Sequence, residues 1–206
     1  MQITAEMQPE LGHSVTEAAR RAQILTVTIA ALAELGYART SFERLRERAG
    51  LSSTRVITYH FGGKADLMNA VLGTIIHVKD QFTAARAQRT SDRVAMLRAH
   101  IEAELAFLKE HPDGARALEE VRRNGSQDAV TGGLLAELRY GRLERRLRQG
   151  QREGIFGPFD ANVLARTIAH AVDGAEAALA GDPELDLDSY AQELGDLFVR
   201  ATAPAT

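Results

Sequence analysis

Apolar residues along most of this chain recur every three or four positions, the spacing that gathers them on one side of an α-helix. From about Val15 to Leu35, the residues Ile24, Val27 or Thr28, Ala31, Leu32 and Leu35 share a face, and Gly36 stops the pattern. A short helix is predicted at about Phe42–Ala49, with Thr40 or Ser41 placed to cap it and Gly50 ending it. Ser52 or Ser53 can cap a third helix through about Tyr59, before Gly62-Gly63 breaks the chain. Further helices are expected at about Lys64–Gln88, Ser91–Glu110, Asp113–Arg123, Leu134–Glu153, Asp160–Ala180 and Asp188–Thr202. Few stretches alternate as strands do, so the expected fold is all-α, three short-range helices followed by six. The division that follows is a disordered or loosely ordered tail over residues 1–14, a first domain over 15–63 and a second over 64–206.

Composition narrows the function. With 45% hydrophobic residues among 206, the chain can bury a sizeable core. The absence of cysteine excludes a disulfide framework, a thiolate metal site and a cysteine nucleophile. The longest weakly polar run, Ile24 to Ala33, cannot span a bilayer, and the N-terminus lacks the basic start of a signal peptide. The chain therefore reads as cytoplasmic, with no membrane partner. Charge is unevenly spread: residues 18–64 hold eight lysines or arginines against three acids, whereas residues 65–206 hold 17 against 22. A polyanion is the partner such a first domain suits.

Thr40 to Lys64 carries the most specific pattern. A short helix, a tight glycine turn and a second short helix make a helix-turn-helix, whose second helix enters the DNA major groove. That helix opens with Ser52, Ser53, Thr54 and Arg55, followed by Thr58, side chains able to hydrogen-bond base edges. Tyr59, His60 and Lys64 at its far end suit phosphate oxygens, as do Thr40 and Ser41 at a helix N-terminus. Arg44 and Arg48 read instead as a solvated face with Glu47, and Tyr37 and Phe61 as core.

Gly36-Tyr37, Thr40-Ser41, Ala49-Gly50-Leu51-Ser52 and Tyr59-His60-Phe61-x-x-Lys64-x-x-Leu67 resemble the DNA-binding domain of the TetR (tetracycline-repressor) family. The likeness covers about residues 20–67 and implies a homodimeric transcriptional regulator, most often a repressor released from a palindromic operator by a small-molecule effector. Two departures stand out. Arg46 occupies a position that is usually small, so its charge must snorkel to solvent or change the angle between the helices. The stretch from Gly50 to Phe61 is one residue longer than the family's usual spacing, which shifts the register of Ser53, Thr54, Arg55 and Thr58.

The same resemblance places an effector pocket in the second domain, with Phe82, His100, Glu104, Phe107, Arg122 and Tyr140 as candidate lining. It also implies a dimer interface on the last two helices. Leu164, Ile168, Val172, Ala175 and Leu179, with Tyr190, Leu194, Leu197 and Phe198, form apolar stripes that fit either a second copy or the chain's own core. No metal, cofactor or enzymatic motif is found: His100 and Glu104 lie four apart, but two ligands are too few. The alternative to a regulator is a helical ligand-binding protein with weak or lost operator specificity.

Overall fold

The computed structural model describes residues 7–87, 91–124, 137–182 and 184–204. Among these residues there are nine α-helices and no strand: α1 Met7–Leu35, α2 Phe42–Arg48, α3 Arg55–Phe61, α4 Lys64–Ala87, α5 Arg93–Glu110, α6 Pro112–Asn124, α7 Arg142–Arg152, α8 Ala161–Gly181 and α9 Leu187–Thr202. A π-helical turn, Glu137–Gly141, leads into α7, and residues 134–136 of the helix expected there lie outside the described residues. No helix described is long and apolar enough to cross a membrane.

One boundary needs correction. Residues 7–14, expected as loosely ordered tail, are the first two turns of α1. Pro9 falls in the opening turn, where a missing N–H costs no helical hydrogen bond, so it does not block the extension.

The chain divides into two compact units, one within residues 1–74 and 116–126, the other within 75–115 and 127–206. The boundary thus falls inside α4 and again inside α6, rather than at Gly63 as the glycine pair suggested.

The first unit buries Ile24, Leu32, Leu45, Leu51, Ile57, Phe61 and Leu67. Its α2–α3 turn is closed by two hydrogen bonds: Leu51 N donates to Arg46 O at 2.9 Å and Gly50 N to Glu47 O at 3.2 Å. This is the Schellman arrangement, and Gly50 supplies the positive φ of 61° that it needs.

In the second unit, α5 packs chiefly on α9, and α7 on α8. Leu97, Ile101 and Leu105 of α5, Leu143 and Leu147 of α7, and Ile168 and Val172 of α8 share one core with Phe156 and Phe198. Asp92, Asp160 and Asp186 cap α5, α8 and α9, each accepting from two backbone N–H groups. Gly150 is required by packing, because a Cβ there would lie 2.2 Å from a ring carbon of Phe156.

This core takes several of the residues expected at a dimer interface. Ile168, Val172, Ala175 and Phe198 are buried within the chain itself, and Leu164, Leu179, Tyr190 and Leu194 pack against them. Only Leu197 of that set is exposed, at 52%. An apolar stripe on a helix is claimed first by its own core. The outward face of α8 runs instead through Val163, Thr167, His170, Gly174, Ala177 and Ala178.

Candidate nucleic-acid interface

The helix-turn-helix is assembled from α2 and α3 and braced by α1. Arg21 of α1 donates to the backbone oxygen of His60 at 2.6 Å and lies 4.2 Å from the centre of the Phe61 ring. Arg48 of α2 pairs with Glu34 of α1 at 2.7 Å, so it does more than face solvent beside Glu47. Arg46 resolves its crowded position by snorkelling: its guanidinium reaches Glu43 at 2.7 Å and Glu47 at 3.4 Å.

The turn before α2 is held from two directions. Glu120 of α6 accepts from Tyr37 N at 2.7 Å, while Lys64 donates to Tyr37 O at 3.2 Å and lies 4.4 Å from the centre of the Tyr37 ring. Lys64 is therefore half-buried and tied inward rather than extended toward a phosphate. Thr40 is likewise internal. It is 1% exposed and its hydroxyl donates to Gly36 O at 2.9 Å, so its side chain does not reach the surface. Ser41 is exposed and caps α2 through Arg44 N.

At the start of α3, Ser52 and Arg55 are exposed, and Ser53 and Thr54 are half-buried. Thr54 is the N-cap and makes no side-chain cap bond, while the hydroxyl oxygen of Ser53 before it accepts from Arg55 N at 3.2 Å. The Thr58 hydroxyl donates back to Thr54 O at 3.2 Å. Tyr59 is 74% exposed and its hydroxyl donates to the Glu17 carboxylate at 3.0 Å, which raises the tyrosine pKa. His60 is half-buried, edge-on to Tyr59 on one side and to Phe61 on the other.

The basic surplus of residues 18–64 can now be resolved. Arg20, Arg21, Arg39, Arg44, Arg46, Arg48 and Lys64 each donate to a neighbouring side chain or backbone oxygen. Arg55 is the exception: no described residue partners its guanidinium. It sits at the first position of α3, where the helix dipole opposes a positive charge and no acidic residue occupies the first turn. A cation held at an unfavourable helix end, exposed and unpaired, suits an external anion or base.

The residues expected in a pocket fall in both units. Arg122 is exposed, pairs with Glu119 on its own helix at 2.6 Å, and belongs to the first unit, whereas the other five belong to the second. In the second unit, Phe82 and Phe107 stack edge to face at 5.6 Å, and Glu104 pairs with Lys79 at 2.6 Å while accepting from Thr83 at 3.3 Å. Burial alone would raise the Glu104 pKa, but Lys79, His100 and these hydrogen bonds outweigh it and hold the carboxyl below its usual range. Tyr140 is buried in the core beside Arg166, 4.8 Å from its ring centre. Among the described residues no three acidic or histidine side chains are placed to hold a metal ion.

Sequence reading missed Glu17, Glu120 and Arg21 as partners of the reading head. Their contacts span 42, 83 and 39 residues, and no local pattern signals such pairs.

Residues 24–71 match the model for bacterial regulatory proteins of the tetR family. The HTH-type transcriptional regulator BetI 2 of Chromohalobacter salexigens is 36% identical over 95 residues, 46% of this chain and 43% of that protein, so the alignment spans less than half of the relative's length. A TetR family regulator from Marinobacter aquaeolei superposes with a TM-score of 0.79 at 17% identity, covering 93% of this chain and 100% of that one. The fatty acid degradation regulator FadR of Bacillus halodurans gives 0.76 at 16% identity, over 87% and 94% of the two chains. NalD, the secondary repressor of the MexAB-OprM multidrug efflux pump in Pseudomonas aeruginosa, gives 0.72 at 18%, over 91% and 98%. These structures share the fold over 87–93% of this chain. Residues 24–71 are thus similar in sequence to the tetR-family DNA-binding domain, while the rest of the chain shares the fold of these regulators.

Proposed function

We propose that this protein is a sequence-specific DNA-binding regulator of transcription that works as a homodimer on a two-fold symmetric operator and is released by a small-molecule effector. The observation that carries the reading is Arg55, unpaired and exposed at the first position of α3 in a domain similar to that of the TetR family. Arginine at the N-terminal end of a recognition helix can make two hydrogen bonds to guanine. Ser52 and Thr58 flank it on the exposed side, and Ser53 and Thr54 lie between. Ser41, Tyr59 and His60 are the candidates for phosphate contacts that set register. Thr40 and Lys64 support the domain from within.

The surface that fits a second copy is the outward face of α8 with that of α9: Val163, Gly174, Ala177, Ala178, Leu197 and Ala201. Small residues allow close helix approach, and exposed Val163 and Leu197 supply apolar area at 59% and 52% accessibility. An effector can weaken DNA binding only if it binds the DNA-free arrangement more tightly. Both α4 and α6 run from one unit into the other, so each is a continuous path for that linkage.

Selection from random duplex DNA tests the reading. The expected product is a palindrome whose half-sites lie roughly 34–36 Å apart or a multiple of it. Recovery of unrelated sequences would instead support a ligand-binding protein without operator specificity.

A further inference from the structure

Within the second unit, α5, α7 and the loop after α7 enclose a small hollow lined by Met96, Leu97, His100, Leu143, Arg146 and Phe156. Its volume of about 10 Å³ admits roughly one water molecule. Two polar features of this wall are left over. The Nδ1 atom of His100 is sealed from solvent and has no hydrogen-bond partner. Arg146, half-buried, makes no hydrogen bond or ion pair with any described residue.

The surrounding charges explain why Arg146 is stranded. Arg93 is gripped by both oxygens of Glu153 at 2.7 Å, and Arg142 pairs with Asp80 at 2.7 Å. Lys79 and Glu104 neutralise one another. The carboxylates that hydrogen-bond and ion-pair geometry place here are thus engaged, and among the described residues Arg146 is a surplus positive charge. Burial, and then the nearby Arg142 and Arg93, lower its pKa against the pull of Asp80. Burial also lowers the pKa of His100, against the pull of Glu104 and with the push of Arg146. His100 is neutral at pH 7, so an Nδ1–H tautomer can donate.

A lone water would satisfy the histidine but leave the charge unbalanced. A cation would be repelled, and an uncharged apolar molecule would leave both groups unmet. A carboxylate answers both, accepting charge-assisted hydrogen bonds from the guanidinium and one from the imidazole. The remaining wall is apolar, and Met96, unbranched and half-buried, is the side chain best able to swing aside for a short carbon chain.

We propose that this hollow is the head-group site for a small organic carboxylate, held by Arg146 and His100 with its chain against Leu97, Leu143 and Phe156. The proposal names the chemical class of the effector and so rests on the regulator reading above.

Calorimetry on the full chain without DNA, using butyrate, 1-butanol and butylammonium in turn, isolates the site. Saturable binding of butyrate but not of the other two is expected. Arg146→Gln should weaken it by at least about tenfold, while Arg146→Lys should lose less. The nitrogen resonances of His100 should move with butyrate in step with the calorimetric titration. Equal binding of butyrate and butanol, an unaffected Arg146→Gln variant, or no binding of any straight-chain carboxylate from acetate to octanoate would overturn the assignment. Operator affinity measured with and without butyrate separates the two claims. Butyrate that binds as described yet leaves DNA affinity unchanged would keep the site and reject its regulatory role. Operator binding without any carboxylate binding would reject the site alone.

Discussion

Replacing Lys79 by methionine should strand a buried carboxylate. Glu104 and Lys79 have side chains only 17% and 20% exposed and meet at 2.6 Å, with Thr83 the remaining donor to Glu104. Methionine keeps the aliphatic volume but removes the charge that compensates Glu104. Breaking such a pair from one side costs on the order of 3–5 kcal/mol, and the residual solvent contact places this case near 3 kcal/mol. The pH dependence has a definite sign. In the native protein the Glu104 pKa is lowered, so the pair contributes stability above the unfolded carboxylate value of about 4.3, lost as pH falls through the lower folded value. In Lys79→Met, burial dominates and raises the folded pKa above the unfolded one. The penalty is then greatest at neutral pH and shrinks as acidification protonates Glu104. Urea unfolding followed by far-ultraviolet circular dichroism, at fixed protein concentration between pH 7 and 4, measures this. The double variant Lys79→Met/Glu104→Leu should recover most of the loss. A cost below about 1 kcal/mol at pH 7, or one independent of pH, would refute the reasoning.

Four further substitutions probe other parts of the molecule. Arg55→Ala should cost about 1–3 kcal/mol of operator binding and relax preference at one base pair, and anisotropy titrations against single-base variants of the site will show whether the loss is confined there. Glu17→Gln keeps an acceptor for the Tyr59 hydroxyl but removes the negative charge beside it, so random-sequence DNA should bind about two- to fivefold tighter at low salt, a gain that fades as ionic strength rises. Glu120→Ala leaves Tyr37 N without its 2.7 Å partner and should cost about 1–3 kcal/mol, with faster exchange of the Tyr37 amide proton. Gly150→Ala drives a methyl group into the Phe156 ring and should destabilise by about 1–3 kcal/mol, part of which Phe156→Leu in the same chain should restore.

The fold was legible wherever local chemistry decides it. Gly36 and Gly50 end α1 and α2 because both positions take positive φ, and aspartates near three predicted starts cap α5, α8 and α9. Side-chain direction was less accessible. Thr40 and Lys64 have the chemistry of phosphate contacts, yet Thr40 donates to Gly36 O and Lys64 to Tyr37 O, choices made by tertiary neighbours. The stripe on α8 is correct as a stripe. Periodicity records which residues share a face but not whether the chain or a second copy covers it, and here the chain's own core takes Ile168, Val172 and Ala175. Arg122 sits in a helix that the sequence locates well, but its ion pair with Glu119 turns it outward. The bracing of the reading head by Glu17 and Glu120 depends on contacts too distant in sequence to read from spacing.

The measurement that bears most directly on the central claim is the affinity of the selected duplex against a scrambled one of equal length, titrated at physiological salt with the bound stoichiometry determined. An integral number of dimers, at least one per palindrome, and a preference of at least about a thousandfold are expected. Equal and salt-sensitive binding of both duplexes would contradict it, because charge without base recognition would then explain all the affinity.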